Sequence, residues 1–366
     1  MESRADLSHA WTPYVAWMKR APESTYNLMG SNLLHCQVED LPGAREELAL
    51  DAFHEEGYGP LLEDIGGRYG FPADQVSVAT GASGANFLVC GALLEAGDEV
   101  VVERPAYDPL LGIPRFLGAE LRRFDRTFDN GFQVDPDRIR KLMSPRTRLI
   151  FLTNPHNPTG AFTPEETLLE VGKIAEQYGA RVLVDEVYLE SIHGRDLRPA
   201  ATLSPTFIST SSLTKAYGLS GLRAGWALSE PALAEKIRRV RDLVDGVGSF
   251  PSELLAHLAF RNLPALKDRA RSILEPNLAR LFSFMEAQDK VEWVPPAGGS
   301  VGFPRIRGVA DASEFVRTLR EDYDTGVVPG YFFEAPAHFR VALGGRAEVL
   351  EEGLKRLGQA LEAELP

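Results

Sequence analysis

With 39 Lys+Arg against 52 Asp+Glu in 366 residues, the chain carries a net charge of −13, which excludes the broad basic surface that nucleic-acid or anionic-membrane binding needs. Its two cysteines, Cys36 and Cys90, are too few for a disulfide framework or a four-cysteine metal site. No run of 18 apolar residues reads as a membrane span, and no apolar leader pattern follows Met1, so the expected location is the cytoplasm.

The first forty or so residues have little strand–helix rhythm and are expected to pack against the C-terminal part. From Val76 short apolar runs alternate with helical patterns. The predicted strands are Val76–Ala79, Glu99–Val102, Leu121–Phe124, Arg148–Thr153, Arg181–Asp185, Phe207–Ser211 and Leu222–Ala227. Helical patterns at Ala85–Glu95, Pro109–Leu117, Pro136–Met143 and Pro164–Tyr178 fill most gaps. That alternation predicts a mostly parallel seven-stranded sheet wrapped by helices, a three-layer α/β/α fold. Beyond Trp226 the texture changes. Pro231–Leu243, Ser252–Arg261 and Leu263–Ala287 read as long helices, followed by short strands, a helix at Ala312–Asp322 and a final amphipathic helix. This predicts a smaller α+β unit. The basic clusters at 138–141 and 238–241 fall in helical contexts and read as solvated faces.

Parallel sheets bind ligands outside the carboxyl ends of their strands, and five features fall there. Thr80-Gly81-Ala82-Ser83-Gly84-Ala85-Asn86 opens a helix after a strand; it suits either a tight turn or a backbone cradle for an anion. Tyr107, after Arg104-Pro105-Ala106, is either a packed loop residue or a ring that stacks on a planar ligand. Asn154-Pro155-His156-Asn157-Pro158-Thr159-Gly160 is a stiff loop able to hold an amide against a ligand. Asp185 ends a buried apolar strand, where a carboxylate either caps the next segment or meets a cation. Lys215 is framed by Ser212, Thr214, Gly218, Gly221 and Arg223. A lysine in a crevice loses charge by desolvation and can attack a carbonyl, and Ser212 with Arg223 could hold a phosphate beside it.

These features, in this order and spacing, resemble the fold-type I aminotransferases of class I/II, the aspartate aminotransferase superfamily, over almost the whole chain from about Asn27. The resemblance implies pyridoxal 5′-phosphate as cofactor, with an amino acid and a 2-oxo acid as substrates and a homodimer as the assembly. It implies that Lys215 forms the internal aldimine and shuttles the substrate proton, and that Asp185 pairs with the pyridine nitrogen. Tyr188 and Asn157 would meet the ring's phenolic oxygen, and Tyr107 would stack on the ring. Ala82, Ser83, Ser212 and Arg223 would form the phosphate cup. In the strand around His338–Leu343, Arg340 would clamp the substrate carboxylate. No metal is implied. The implied organisation is residues 1–45 packing with a small domain, 46–262 as the large cofactor-binding domain, and 263–366 as the small domain.

Three places depart from the family pattern. Leu62 replaces an arginine in Gly57-Tyr58-Gly59-Pro60-Leu61-Leu62-Glu63, with Tyr58 as a candidate substitute for a missing intersubunit tyrosine. Ser31 and Asn32 stand in an unusual N-terminal loop, where they either line the substrate pocket or cap a domain junction. By ungapped offset Asp245 falls near the arginine of dicarboxylate-specific members, which argues against aspartate or glutamate as the distinctive substrate. Transamination is the leading reading. A lyase, a decarboxylase or a cyclase of the capreomycidine or aminocyclopropane type shares the same motifs, because the cofactor supplies the chemistry. A non-catalytic binding module is disfavoured by the intact Lys215, Asp185 and Arg223.

Overall fold

The computed structural model describes residues 12–195 and 197–364. The segment around Met1 in which a leader was sought lies outside them. Seven strands form the central sheet: β1 (Val76–Thr80), β2 (Glu99–Arg104), β3 (Glu120–Asp125), β4 (Thr147–Thr153), β5 (Arg181–Asp185), β6 (Phe207–Ser212) and β7 (Ala224–Leu228). Their spatial order is β1-β7-β6-β5-β4-β2-β3. All neighbours are parallel except β7, which runs antiparallel to both β1 and β6.

Apolar side chains on both faces explain why this sheet is internal. In β2, Val100 and Val102 join one cluster with Ala85, Leu88 and Leu110, while Val101 points the other way to Ile150, Leu152 and Ile174. That is the two-residue period of a strand covered by helices on each side. Each such fully buried side chain contributes about 1.5–3 kcal/mol.

The smaller α+β part gathers the C-terminal elements with one N-terminal strand. Phe339–Ala342 pairs antiparallel with both Val301–Gly302 and Val328–Pro329. Tyr26–Asn27 adds alongside Thr325–Gly326 in parallel. Leu350, Leu354, Leu357 and Leu361 of the last helix, Ala347–Glu364, pack with Leu28, Leu281 and Phe315.

The predicted strand at Leu222–Ala227 is displaced. Leu222 belongs to the short 3-10 turn Ser220–Leu222, and Arg223 follows in the left-handed region at φ 51°. That conformation is incompatible with an extended strand, so β7 begins at Ala224. The helix predicted from Ser252 starts at Phe250. Among the described residues, no helix is long and apolar enough to cross a membrane. None of their His, Cys, Asp and Glu side chains gather in groups of three or more that could hold a metal ion.

Candidate active site

The carboxyl ends of β4, β5 and β6 and the helix after β1 surround a cavity of about 210 Å³. Ala82, Ser83, Tyr107, Asn157, Asp185, Tyr188, Ser212, Lys215 and Arg223 all line it, together with Asn32, Thr153, Thr214 and Ser220. Of the predicted site residues, Ser31 and Arg340 stand just beyond this lining, and hydrogen bonds tie both to it.

Lys215 sits on the short helix Leu213–Tyr217. Ser212 accepts from Thr214 N at 3.3 Å and caps that helix, which ends at the left-handed Gly218. Lys215 Nζ donates to Ser31 Oγ at 2.8 Å and to Asn32 Oδ1 at 2.6 Å. Ser31 is thus placed against the lysine. Burial, then the guanidinium of Arg340, lowers the ammonium to about 7; Asp185 opposes the shift and Arg223 adds to it. At neutral pH much of this amine is uncharged.

Asp185 closes β5 and is buried. Its Oδ2 accepts from Asn86 Nδ2 at 2.7 Å, and Asn86 Oδ1 accepts from Thr210 Oγ1 at 2.5 Å. Desolvation pushes the carboxyl up to about 6. Asn86 therefore fixes the orientation of the acid but supplies no charge. Burial also pushes the Tyr188 phenol up to about 12 and raises that of Tyr107.

The turn Gly81–Ser83 begins the helix Gly81–Leu93, whose first N–H groups have no intrahelical partner. Gly81 N donates to the Arg223 carbonyl at 2.6 Å. A Cβ on Gly81 would lie 2.3 Å from Arg223 Nη2, and one on Gly225 would lie 2.3 Å from the Gly81 carbonyl carbon. Two glycines are required where strand, turn and guanidinium meet. Arg223 forms no ion pair among the described residues. It also borders a second cavity of about 190 Å³, where Asp245, Arg241 and Glu253 lie. Within one chain Asp245 faces that second cavity and accepts from Thr80 Oγ1 at 3.4 Å. Tyr58 lies outside that lining; its N–H donates to Glu253 Oε2 at 2.6 Å and its ring packs against His54, Phe250 and His257.

Arg340, in the strand Phe339–Ala342, is fully buried. Nη1 donates to Asn157 Oδ1 at 3.1 Å; Nη2 donates to Tyr14 Oη at 2.5 Å and to the Met29 carbonyl at 3.1 Å. No carboxylate neutralises it among the described residues. An uncompensated buried guanidinium is costly and marks a place where an anion is expected.

Three contributors escaped the sequence reading. Tyr14 comes from the helix Pro13–Met18, far along the chain from Arg340. Asn86 closes the Thr80–Asn86 run on the largely apolar helix Gly81–Leu93, but nothing local says which distant group it meets. The third is a buried brace beneath Asn157. Its N–H donates to Thr153 Oγ1 at 3.3 Å, Thr153 N donates to Glu103 Oε1 at 2.7 Å, and Arg126 Nη1 donates to Glu103 Oε2 at 2.7 Å. Glu103 and Arg126 stand near strand ends, and nothing local in the sequence assigns them a role.

The aminotransferase class I and II family model matches residues 9–357. Among curated proteins, a capreomycidine synthase of Streptomyces vinaceus is 32% identical over 294 residues, covering 79% of this chain and 75% of its own. Among solved structures, a PLP-dependent aminotransferase from Streptococcus suis is 29% identical with a TM-score of 0.91, covering 96% of this chain and 97% of its own. A PLP-dependent cyclase, OrfR, is 29% identical with a TM-score of 0.86, covering 97% and 98%.

Proposed function

Because the chain belongs to the class I and II aminotransferases, we propose that it transfers an amino group between an amino acid and a 2-oxo acid, with Lys215 as the proton-carrying residue. Members of this family use pyridoxal 5′-phosphate. The residues present fit that group. Thr214 Oγ1 and Ser220 Oγ, both lining the cavity, are buried without hydrogen-bond partners, and a Cβ on Gly81 would collide with Arg223 at the cavity's edge. When bound, the cofactor supplies an electron-withdrawing ring that drains charge from the substrate Cα.

The chain's own residues divide the remaining work. Arg223, Ser212, Ser83 and the helix N-terminus at Ala82 would hold the phosphate. Asp185 Oδ2, buried and fixed by Asn86, would hold a proton on the ring nitrogen; a cation beside it returns the acid to its ionised form. Tyr188 and Asn157 would meet the ring oxygen, and Tyr107 would pack against the ring. Arg340 would clamp the substrate carboxylate. Lys215 Nζ, lowered to about 7 and so partly uncharged near neutrality, would take the Cα proton and return it.

The observation that carries this reading is the pair of arginines, Arg223 and Arg340. Both lack an acid partner among the described residues, and both act on Lys215 Nζ. They suit a ligand with one anion at each side of an amine. The test supplies the holoenzyme with 15N-labelled amino acids and a 2-oxo acid acceptor, and follows the label by mass spectrometry. Label in the acceptor supports transamination, and its absence with every pair rejects it.

A second reading, ring closure of an amino acid, is favoured by the similarity to capreomycidine synthase and to the cyclase OrfR. In the same experiment it would give a cyclic product that keeps its nitrogen. A homodimer is also part of the proposal. Leu50, Phe53, Leu243 and Val244 are all exposed. His54 packs on Phe250 with ring centroids 5.3 Å apart, so the two segments share one face. A second copy covering that face would be seen as twice the chain mass by sedimentation.

A further inference from the structure

We propose that Tyr14 is a substrate-binding residue: its phenolic oxygen accepts one N–H of Arg340, and its hydroxyl hydrogen is reserved for the substrate carboxylate. This rests on the reading of Arg340 as the carboxylate clamp and holds for transamination or ring closure alike.

A guanidinium has five N–H groups. Both hydrogens of Arg340 Nη2 are engaged, by Tyr14 Oη and the Met29 carbonyl, and one of Nη1 is engaged by Asn157 Oδ1. Nε has no partner. A two-point fork on a carboxylate uses Nη2 with either Nη1 or Nε, so each fork includes a nitrogen that is already occupied. An arriving carboxylate must therefore meet one of the occupants of Nη2. The Met29 carbonyl has no hydrogen to offer. Tyr14 Oη accepts from Arg340 and donates to nothing among the described residues. It is the occupant that can turn its hydrogen to an incoming oxygen while keeping its bond to Arg340.

The hydroxyl is held in place for that task. Tyr14 is 6% exposed. Its ring packs between Tyr107 and Phe333, with centroids at 5.8 and 5.4 Å. Its backbone N–H donates to Asp108 Oδ2 at 3.0 Å, which substitutes for a side-chain cap from Thr12. The residue is thus fixed at both ends, to Asp108 on one side and Arg340 on the other, and little freedom is lost on binding.

Tyr14→Phe keeps the ring and removes only the hydroxyl. Calorimetric titration of the holoenzyme with propionate, a carboxylate that carries no amine to react, should show affinity falling about tenfold, as expected for one hydrogen bond to a charged group. With an amino-acid substrate, KM should rise by a similar factor while kcat and the visible cofactor spectrum stay within twofold of the parent. Unchanged propionate affinity in Tyr14→Phe, with affinity lost in Arg340→Lys, overturns the role of Tyr14 alone. Unchanged affinity in both variants overturns the reading of Arg340 with it.

Discussion

The two ends of the cavity are built in opposite ways. At the Arg223 end the parts are neighbours in sequence: Gly81, Ala82 and Ser83 form one turn, and Ser212, Lys215 and Arg223 lie within twelve residues. Backbone and glycines do much of the work there. At the Arg340 end the parts come from four distant places, Tyr14, Met29, Asn157 and Arg340, joined only by tertiary folding. The first end suits a group that stays bound and is the same in every turnover. The second suits a ligand that comes and goes, since each wall there can change without disturbing the others.

Mutation can separate the two ends. Lys215→Ala touches both and should lower turnover by about ten-thousand-fold or more, measured by product formation, with cofactor still bound non-covalently. Arg340→Ala should cut kcat/KM by about a hundredfold or more, because the charged donor facing the substrate carboxylate is lost. Cofactor retention in dialysis should stay near the parent value. Arg223→Ala should do the reverse. Cofactor retention in dialysis should weaken about a hundredfold, while KM at saturating cofactor stays near the parent value. A variant at one end that shifts both readouts equally would erase the distinction between them.

The smallest effect is a titration. Lys215 is lowered to about 7, so its neutral fraction rises as pH rises through that value, whereas an exposed lysine stays charged to about 10. Acylation of Lys215 in the cofactor-free protein, read by peptide mass spectrometry, should reach half its maximum near pH 7. Arg340→Ala removes a nearby cation and should move that midpoint upward. Asp185→Asn removes an anion and should move it downward. A midpoint near 10 in the parent would falsify the desolvated environment.

This division also explains what the sequence revealed. Most of the seven strands were legible as apolar runs bounded by turn residues, as in Val182–Asp185; Glu120–Asp125, Glu-Leu-Arg-Arg-Phe-Asp, is a polar edge strand. Lys215, Asp185 and Arg223 stood out because each falls in a distinctive local run at a strand end, and the fold brings all three to one cavity. Tyr14 was not, since its partner lies 326 residues away and nothing at Pro13-Tyr14-Val15 distinguishes it from a packed aromatic. The same holds for Asn86 beneath Asp185 and for the Glu103–Arg126 pair beneath Asn157. These are polar residues whose meaning comes from what the fold brings against them. Ser212 was expected at a phosphate and lines the cavity, but it also caps the lysine's helix, a role that needs only its own next two residues.

The reversal of β7 has a consequence for how the cavity could be assembled at all. In the other six strands the mouth lies at the finish of the strand. In β7 it lies at the start, which is why Arg223 stands beside Gly81. Were β7 parallel to its neighbours, the same residues would emerge at the far side of the sheet, about 17–20 Å away for a five- or six-residue strand. One change of strand direction therefore lets a segment that has just left the mouth, at Lys215, turn back and deliver a cation to it within eight residues, without a crossing helix.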